Sequence, residues 1–143
     1  GPDGTEQSVA GRWQAGGVSD YRIVVREVHS TWCYYDVAVE VQHGEVASGT
    51  VTAHPGPASD CGLYVEGVVE EPVSLAPADA ARWTVPGLFG IAREWQALAG
   101  EEHMHIALKF DADLGYPSAL SRDNEVAVDD DMWLQTLEFT RVN

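Results

Sequence analysis

The stretch of residues 34–53, YYDVAVEVQHGEVASGTVTA, decides the fold. Valines at positions 37, 39 and 41 alternate with polar or small residues, which is the period-two pattern of a β-strand with one buried face. His43-Gly44 follows as a two-residue turn in which glycine supplies a positive φ, and residues 45–53 return as a second strand. The stretch therefore predicts an antiparallel hairpin.

Similar alternation outside this hairpin predicts four more strands. One precedes the hairpin and carries Tyr21, Ile23 and Val25 on one side. Residues 103–110 form another, and residues 118–122 return after a turn. Residues 131–141, with Trp133, Leu137 and Phe139 as apolar positions, form the last. Connections of hairpin length imply antiparallel pairing.

Two further segments predict helices. Residues 8–16 begin at a serine that can cap the helix and end at a pair of glycines. Thr84 caps the second helix, which has Pro86 in its first turn and apolar residues at helical spacing until Gly100. We therefore predict an α+β fold: a single antiparallel twisted sheet of about six strands with two helices packed on one face, in the order helix-β-β-β-helix-β-β-β.

The length of 143 residues fits a single domain, residues 1–143. Gly1-Pro2 is typical of the remnant that some tag-cleaving proteases leave, so residues 1–7 are set aside as tag remnant and flexible N-terminus. Residues 54–83 are rich in proline, glycine and alanine, and we expect an irregular insertion there.

The charge balance excludes several partners. Asp and Glu number 23 against 8 Lys and Arg, giving a net charge of −15. This field repels phosphate backbones and anionic lipids, so we expect no nucleic-acid partner. We also expect no membrane-spanning segment, because no apolar run reaches the roughly 20 residues that a membrane helix needs. Adaptation to high salt is an alternative explanation of the acid excess.

The two cysteines, Cys33 and Cys61, permit only one pairing, and both stand beside predicted turns. We predict a disulfide between them, which would stabilise the fold by roughly 3–4 kcal/mol in the chain-entropy view. Two free, buried thiols are the alternative. A zinc site is not expected, because the sequence has neither a CxxC nor an HxxxH pattern.

Residues scattered over positions 10–141 match the pattern of a known family. The most specific phrase is DADLGYP at residues 111–117, followed by Asp123 and by the aspartates at 129–131. Other matches are Trp13, Asp20, Tyr21, Arg22, Cys33, Val37, Val39, Val41, Gly44, Val46, Thr84, Val85, Leu88 and Phe89. The chain thus resembles the bacterial domain of unknown function 6174.

This resemblance implies a secreted or lipoprotein-type domain, so we expect an extracytoplasmic location in the periplasm, on the outer surface or in the medium. A lipid anchor could precede the sequence. The family has no established activity, so the resemblance assigns no catalytic residue.

Acidic residues concentrate in the connections between the last strands, and Asp111, Asp113, Asp129, Asp130 and Asp131 are the candidate ligands. Converging carboxylates repel one another, and a hard cation such as Ca²⁺ relieves that repulsion. Solvated turns, in which aspartates cap their own backbone, are the alternative. We expect no cofactor, with calcium as the exception to test.

Histidines and aromatic residues supply two more candidate sites. His103 and His105 share one face of a predicted strand and could bind a metal with a third ligand, although exposed histidines are the simpler interpretation. Trp32, Tyr34 and Tyr35 form an aromatic cluster that could contact a sugar or peptide, unless they are half-buried residues at a strand end.

Nucleophile and phosphate-loop motifs are absent from the sequence, so we expect no enzyme. We expect a non-enzymatic, envelope-associated module, a monomer or weak dimer that binds a protein. The sheet face opposite the helices would be its contact surface, with outward residues Arg22, Arg26, Glu40, His103, His105 and Lys109. The alternatives are an inhibitor or immunity-type protein that uses its acidic surface, and a calcium-dependent binding domain.

Overall fold

The computed structural model describes residues 4–30, 33–55, 72–124 and 132–142. Its helices are α1 (Gly4–Gly16), α2 (Pro77–Ala80) and α3 (Val85–Gln96), with a 3₁₀ turn at Ala81–Trp83. Its strands are β1 (Tyr21–Ser30), β2 (Cys33–Gln42), β3 (Glu45–Pro55), β4 (Val73–Ser74), β5 (Met104–Phe110), β6 (Pro117–Asn124) and β7 (Met132–Arg141). Within these ranges no helix has the length and apolar character needed to cross a bilayer.

The strands form one antiparallel sheet in the order β4-β3-β2-β1-β7-β6-β5. β1 lies at the centre because it pairs with β2 on one side and with the last strand on the other, so that Tyr21 stands between Val41 and Arg141. The predicted single antiparallel sheet is confirmed. It has seven strands instead of about six, because the two-residue β4 adds to the β3 edge.

Alternation in β1 and β2 builds the centre of the core. Ile23, Val25, Val37 and Val39 are all fully buried, and the register sets Ile23 opposite Val39 and Val25 opposite Val37. These paired valine and isoleucine side chains suit a pleated surface with one buried face. The buried side is named the inner face of the sheet, and the other side the outer face.

The turn between β2 and β3 has the predicted form. His43 and Gly44 have φ values of 54° and 78°, the two positive angles that a tight hairpin turn of this hand requires. The Asp20 carboxylate accepts a hydrogen bond from the backbone N–H of His43 at 2.8 Å. This bond fastens the turn to the beginning of β1.

The helices α1 and α3 pack on the inner face, as predicted. Trp13 of α1 meets the rings of Tyr21 and Phe139 edge-on, at 5.5 and 5.7 Å between centroids. In α3, the N-cap Thr84 accepts a hydrogen bond from the N–H of Gly87, as its sequence position predicts. The apolar side of α3 then joins the core that the two central strands begin.

The predicted insertion at residues 54–83 contains short regular elements where the structure describes it. Besides β4 it holds α2 and the 3₁₀ turn, so the helices number three instead of two. Ala80 and Trp83 are fully buried, and Gly49 of β3 lies so close to Ala80 that a side chain at position 49 would clash with it. Ala80 and Trp83 therefore anchor this segment to the core, while most of the residues between 72 and 82 are exposed.

A β-bulge in β7 sets the orientation of its apolar side chains. The pairing with β1 shifts register between Val24 and Val25, which leaves Leu137 as the extra residue in β7. Phe139 therefore faces the inner side, while Trp133 and Leu137 are exposed. Strict alternation without the bulge would put all three on one face, because their positions differ by even numbers.

Candidate functional site

The outer face is the side of the sheet that α1 and α3 leave uncovered. The strand registers place two rows of side chains across β2, β1, β7, β6 and β5 in that order. The Trp133 row is Tyr34, Val28, Trp133, Ser121 and Ala107. The Lys109 row is Asp36, Arg26, Gln135, Ala119 and Lys109.

Trp133 is the most prominent apolar group in these rows. It is 41% exposed, while its neighbour Val28, between Trp133 and Tyr34 in the row, is only 6% exposed. The ring therefore offers apolar area to a partner and stands on a well-packed base. Partly exposed tryptophans of this kind frequently anchor protein interfaces.

A depression of about 300 Å³ lies beside Trp133 at the β5 end of the rows. Its lining includes three short side chains, Ala107, Ala119 and Ser121, together with Lys109 and Trp133. Because the short side chains leave space above the strands, a large side chain of another molecule fits there. The residues that line the depression come from three different strands, so the sheet itself fixes their spacing.

The charges of the outer face are mostly paired. Arg26 donates two hydrogen bonds to the Asp36 carboxylate, at 2.7 and 2.9 Å, and its guanidinium lies 5.0 Å from the centre of the Tyr34 ring. Arg22 pairs with Glu138 at 3.0 Å. Lys109 is different, because no hydrogen bond or ion pair within the described ranges involves its ammonium group. An unpaired cation favours an anionic partner.

The inner face holds a second polar feature, the buried carboxylate of Glu27. This residue follows the inward positions of Ile23 and Val25 in β1 and is only 1% exposed. Its Oε1 accepts hydrogen bonds from Trp83 Nε1 at 2.9 Å and Arg82 Nε at 3.2 Å. Arg82 Nη2 also donates to Oε2, at 3.4 Å.

Two further donors complete the surroundings of the Glu27 carboxylate. His29 Nε2 lies 2.7 Å from Oε2, and the Tyr35 hydroxyl donates to the same oxygen at 2.9 Å. Because an ionised carboxylate only accepts hydrogen bonds, His29 must carry a proton on Nε2. Glu27, His29, Tyr35, Arg82 and Trp83 are named the Glu27 network.

Burial by itself raises the pKa of Glu27, because it disfavours the charged form. The hydrogen bonds from His29, Arg82 and Trp83, together with the positive charge of Arg82, overcome this effect and lower the pKa to about 2. The carboxylate is therefore ionised at neutral pH.

The Glu27 network serves to join elements of the fold. Five hydrogen bonds reach the two carboxylate oxygens, which offer about four lone-pair directions, so the group has little capacity left to accept a proton from a substrate. The bonds tie β1 and β2 to the 3₁₀ turn that precedes α3. Sequence analysis missed the network, although a glutamate at an inward position of β1 was a signal.

The aromatic cluster predicted from the sequence is divided by the sheet. Tyr34 lies on the outer face beside Arg26, while Tyr35 faces inward, is 4% exposed and belongs to the Glu27 network. The reason is the alternation of neighbouring side chains along a strand. Trp32 lies outside the described residues.

The candidate calcium ligands are only partly described. Asp111 Oδ2 accepts hydrogen bonds from the backbone N–H groups of Asp113 and Leu114, at 3.0 and 2.8 Å, which is how an aspartate caps its own turn. Asp113 is exposed. The other candidates, Asp129, Asp130 and Asp131, lie outside the described residues, so calcium binding there stays a prediction.

The histidine pair is placed differently from the prediction. β5 begins at Met104, so His103 lies in the preceding turn with a φ of 68°, and only His105 is in the strand, exposed and opposite Asp123. No group of three metal-ligating side chains occurs in the part of the chain that the structure describes. The predicted disulfide also lies outside it, since Cys61 and the side chain of Cys33 are not described.

The fold and the site define an α+β protein with one antiparallel sheet, helices on its inner face and an outer face that no described helix covers. A family model described as "Family of unknown function (DUF6174)" matches residues 6–141, nearly the whole chain. The chain therefore belongs to this family. Comparison with curated proteins and with solved structures gave no match.

Proposed function

We propose that the chain is a non-enzymatic, envelope-associated binding module that acts outside the cytoplasm and contacts a protein partner through its outer face. The observation that carries the proposal is Trp133, which is 41% exposed beside the depression lined by Ala107, Ala119 and Ser121. An exposed tryptophan next to a mostly apolar depression suits an anchor site in a protein interface.

The class of partner follows from the chemistry of the outer face. Its rows combine tryptophan, tyrosine and arginine, which are the residue types enriched at protein interfaces. Arg22 and Arg26 are already paired with carboxylates, so the face is not a basic surface for phosphate groups. The net charge of −15 further disfavours nucleic acid and anionic lipid.

The extracytoplasmic location is supported by the position of the cysteines. The backbone of Cys33 pairs with Pro55 at the end of β3, and Cys61 follows Pro55 by six residues. A disulfide between Cys33 and Cys61 would link the chain that follows β3 to the neighbouring strand β2. Disulfides persist in oxidising compartments, so this bond would fit a location outside the cytoplasm. Chemical mapping of this bond would test the location independently of binding.

The proposal is tested by photocrosslinking in the cells that produce the protein. A photoreactive amino acid is placed at Trp133 on the outer face, or at the exposed Gln96 of α3 as the control. We expect one predominant protein adduct from position 133 and none of that adduct from position 96. The adduct partner is then purified and its affinity is measured.

In that second step, Trp133→Ser should weaken binding by roughly tenfold or more, as expected for an interface anchor, while Gln96→Ser leaves it unchanged. Equal adducts from both positions, no adduct, or full affinity of Trp133→Ser would overturn the proposal. The affinity is also measured at increasing salt concentration. A steep loss of affinity, as in complexes held together by charge, would instead favour the inhibitor or immunity-type alternative.

A further inference from the structure

The β5 edge of the sheet is open along the described chain. β5 is the last strand in the sheet order and pairs only with β6. A strand at a sheet edge presents unpaired N–H and C=O groups that can hydrogen-bond to another extended chain. Peptide segments commonly bind proteins by adding a strand to such an edge.

The inner side of β5 leaves apolar area beside this edge. Ile106, Leu108 and Phe110 pack against the core but are only partly buried. Phe110 also stacks on Phe89 of α3 at 5.9 Å between centroids, so this side of the strand is held in place. An added strand with apolar inward residues would cover the remaining exposed area.

The outer side of β5 has a different chemistry. Lys109 is exposed and has no partner within the described ranges, and Ala107 belongs to the lining of the depression beside Trp133. The two residues are neighbours on one face, because side chains two positions apart along a strand point to the same side.

We propose that the β5 edge accepts an extended segment of the protein partner as an additional antiparallel strand, with the local pattern acidic residue, apolar residue, large apolar residue. The inference rests on the proposed function, because it names how the partner uses the outer face. The strand-addition proposal requires backbone hydrogen bonds along the β5 edge and a defined sequence pattern in the partner. Contact with Trp133 alone would require neither.

The pattern follows from the register of an antiparallel strand. The acidic residue stands opposite Lys109, where opposite charges on facing strands attract. The next residue stands opposite Leu108 and faces the core. The third stands opposite Ala107 on the neighbouring strand, roughly 4.8 Å away, so its side chain can extend over Ala107 into the depression that Trp133 also lines.

The experiment uses a display library of random linear eight-residue peptides, selected on the full chain. We expect the selected sequences to share the proposed pattern. The strongest binder is then synthesised, and its affinity is measured for Lys109→Gln and for Gln96→Glu. Both variants make the net charge more negative by one. A difference between them therefore reports the charge at position 109 itself and not the overall charge of the protein.

We expect Lys109→Gln to weaken binding of that peptide by roughly two- to fivefold and Gln96→Glu to leave it unchanged, since exposed ion pairs contribute modestly. A peptide that carries lysine in place of its acidic residue should recover binding to Lys109→Glu. N-methylation of the backbone amides that would face β5 should abolish binding, because the edge hydrogen bonds cannot form.

Several results would overturn the inference: no binder from the library, binders without the pattern, equal effects of the two variants, or full binding of the N-methylated peptide. Pairing of the β5 edge only with a second copy of the chain would overturn it as well. If the photocrosslink at position 133 nevertheless forms, the proposed function stands and only the strand-addition mode fails.

Discussion

Replacing Glu27 with glutamine perturbs a buried carboxylate that five hydrogen bonds reach. Glu27→Gln keeps the size of the side chain but removes the negative charge that Arg82 contacts at 3.2 and 3.4 Å. It also replaces one acceptor oxygen by a donor, which faces Trp83 Nε1 or the Tyr35 hydroxyl. We expect the variant to fold and to be less stable at neutral pH.

The size and the pH dependence of the loss follow from the pKa of Glu27. Its pKa is about 2 in the folded protein, against an ordinary value of 4.5. This difference corresponds to about 3 kcal/mol of stability. Because the folded pKa is the lower one, the contribution is complete above about pH 4.5 and disappears as the pH falls through 2. Near pH 3 less than half of this contribution should remain.

Urea denaturation gives the free energy of unfolding of wild type and Glu27→Gln at about pH 7 and about pH 3. The difference between the two proteins at each pH is the effect of the substitution, because acid destabilises the rest of the fold equally in both. Glu138→Gln is the matched control, because Glu138 is 54% exposed and pairs with an arginine that is 41% exposed. That variant should lose no more than about 1 kcal/mol. A Glu27→Gln loss below about 1 kcal/mol at neutral pH, or one that does not shrink in acid, would refute the reasoning.

Three further predictions concern stability. Thr84→Ala removes the α3 cap and should lower the free energy of unfolding by about 1 kcal/mol in urea denaturation; an unchanged value contradicts the cap. Gly49→Ala places a Cβ 2.6 Å from that of Ala80 and should lower the same quantity by about 1–3 kcal/mol, so a neutral variant contradicts the close packing. Peptide mapping of unreduced protein should find Cys33 linked to Cys61, and reduction should destabilise the fold by roughly 3–4 kcal/mol; two alkylated thiols exclude the bond.

Local periodicity predicted most of the strands because their own side chains record which face is buried. Val37 and Val39 share one buried face only if the chain is extended, because side chains two positions apart point to opposite sides of a helix. The central place of β1 could not be predicted in this way. Its pairing of Tyr21 with Arg141 joins residues from opposite ends of the chain, and alternation does not indicate which strand will be the neighbour. β4 was missed because two residues carry no period.

The candidate site was less predictable for a similar reason. The position of Lys109 on the outer face followed from alternation in β5, whereas Trp133 and Phe139 lie on opposite faces only because of the bulge between them in β7. A bulge inverts the faces of all residues beyond it, and nothing in the local pattern marked it. Arg82 and Trp83 were assigned to an irregular segment, so their bonds to Glu27 could not be foreseen.

The inner and outer features of the sheet are connected through the backbone of β1 and its neighbours. Glu27 and Val28 are consecutive residues, so the carboxylate that is fixed on the inner face also fixes the strand segment that carries Val28 on the outer face. Leu134, opposite Glu27 in β7, likewise directly follows Trp133. The Glu27 network therefore holds the backbone beneath the Trp133 row. An ordered surface loses less conformational entropy on binding than a mobile one. The buried carboxylate of Glu27 should therefore strengthen partner binding at the outer face without contacting the partner.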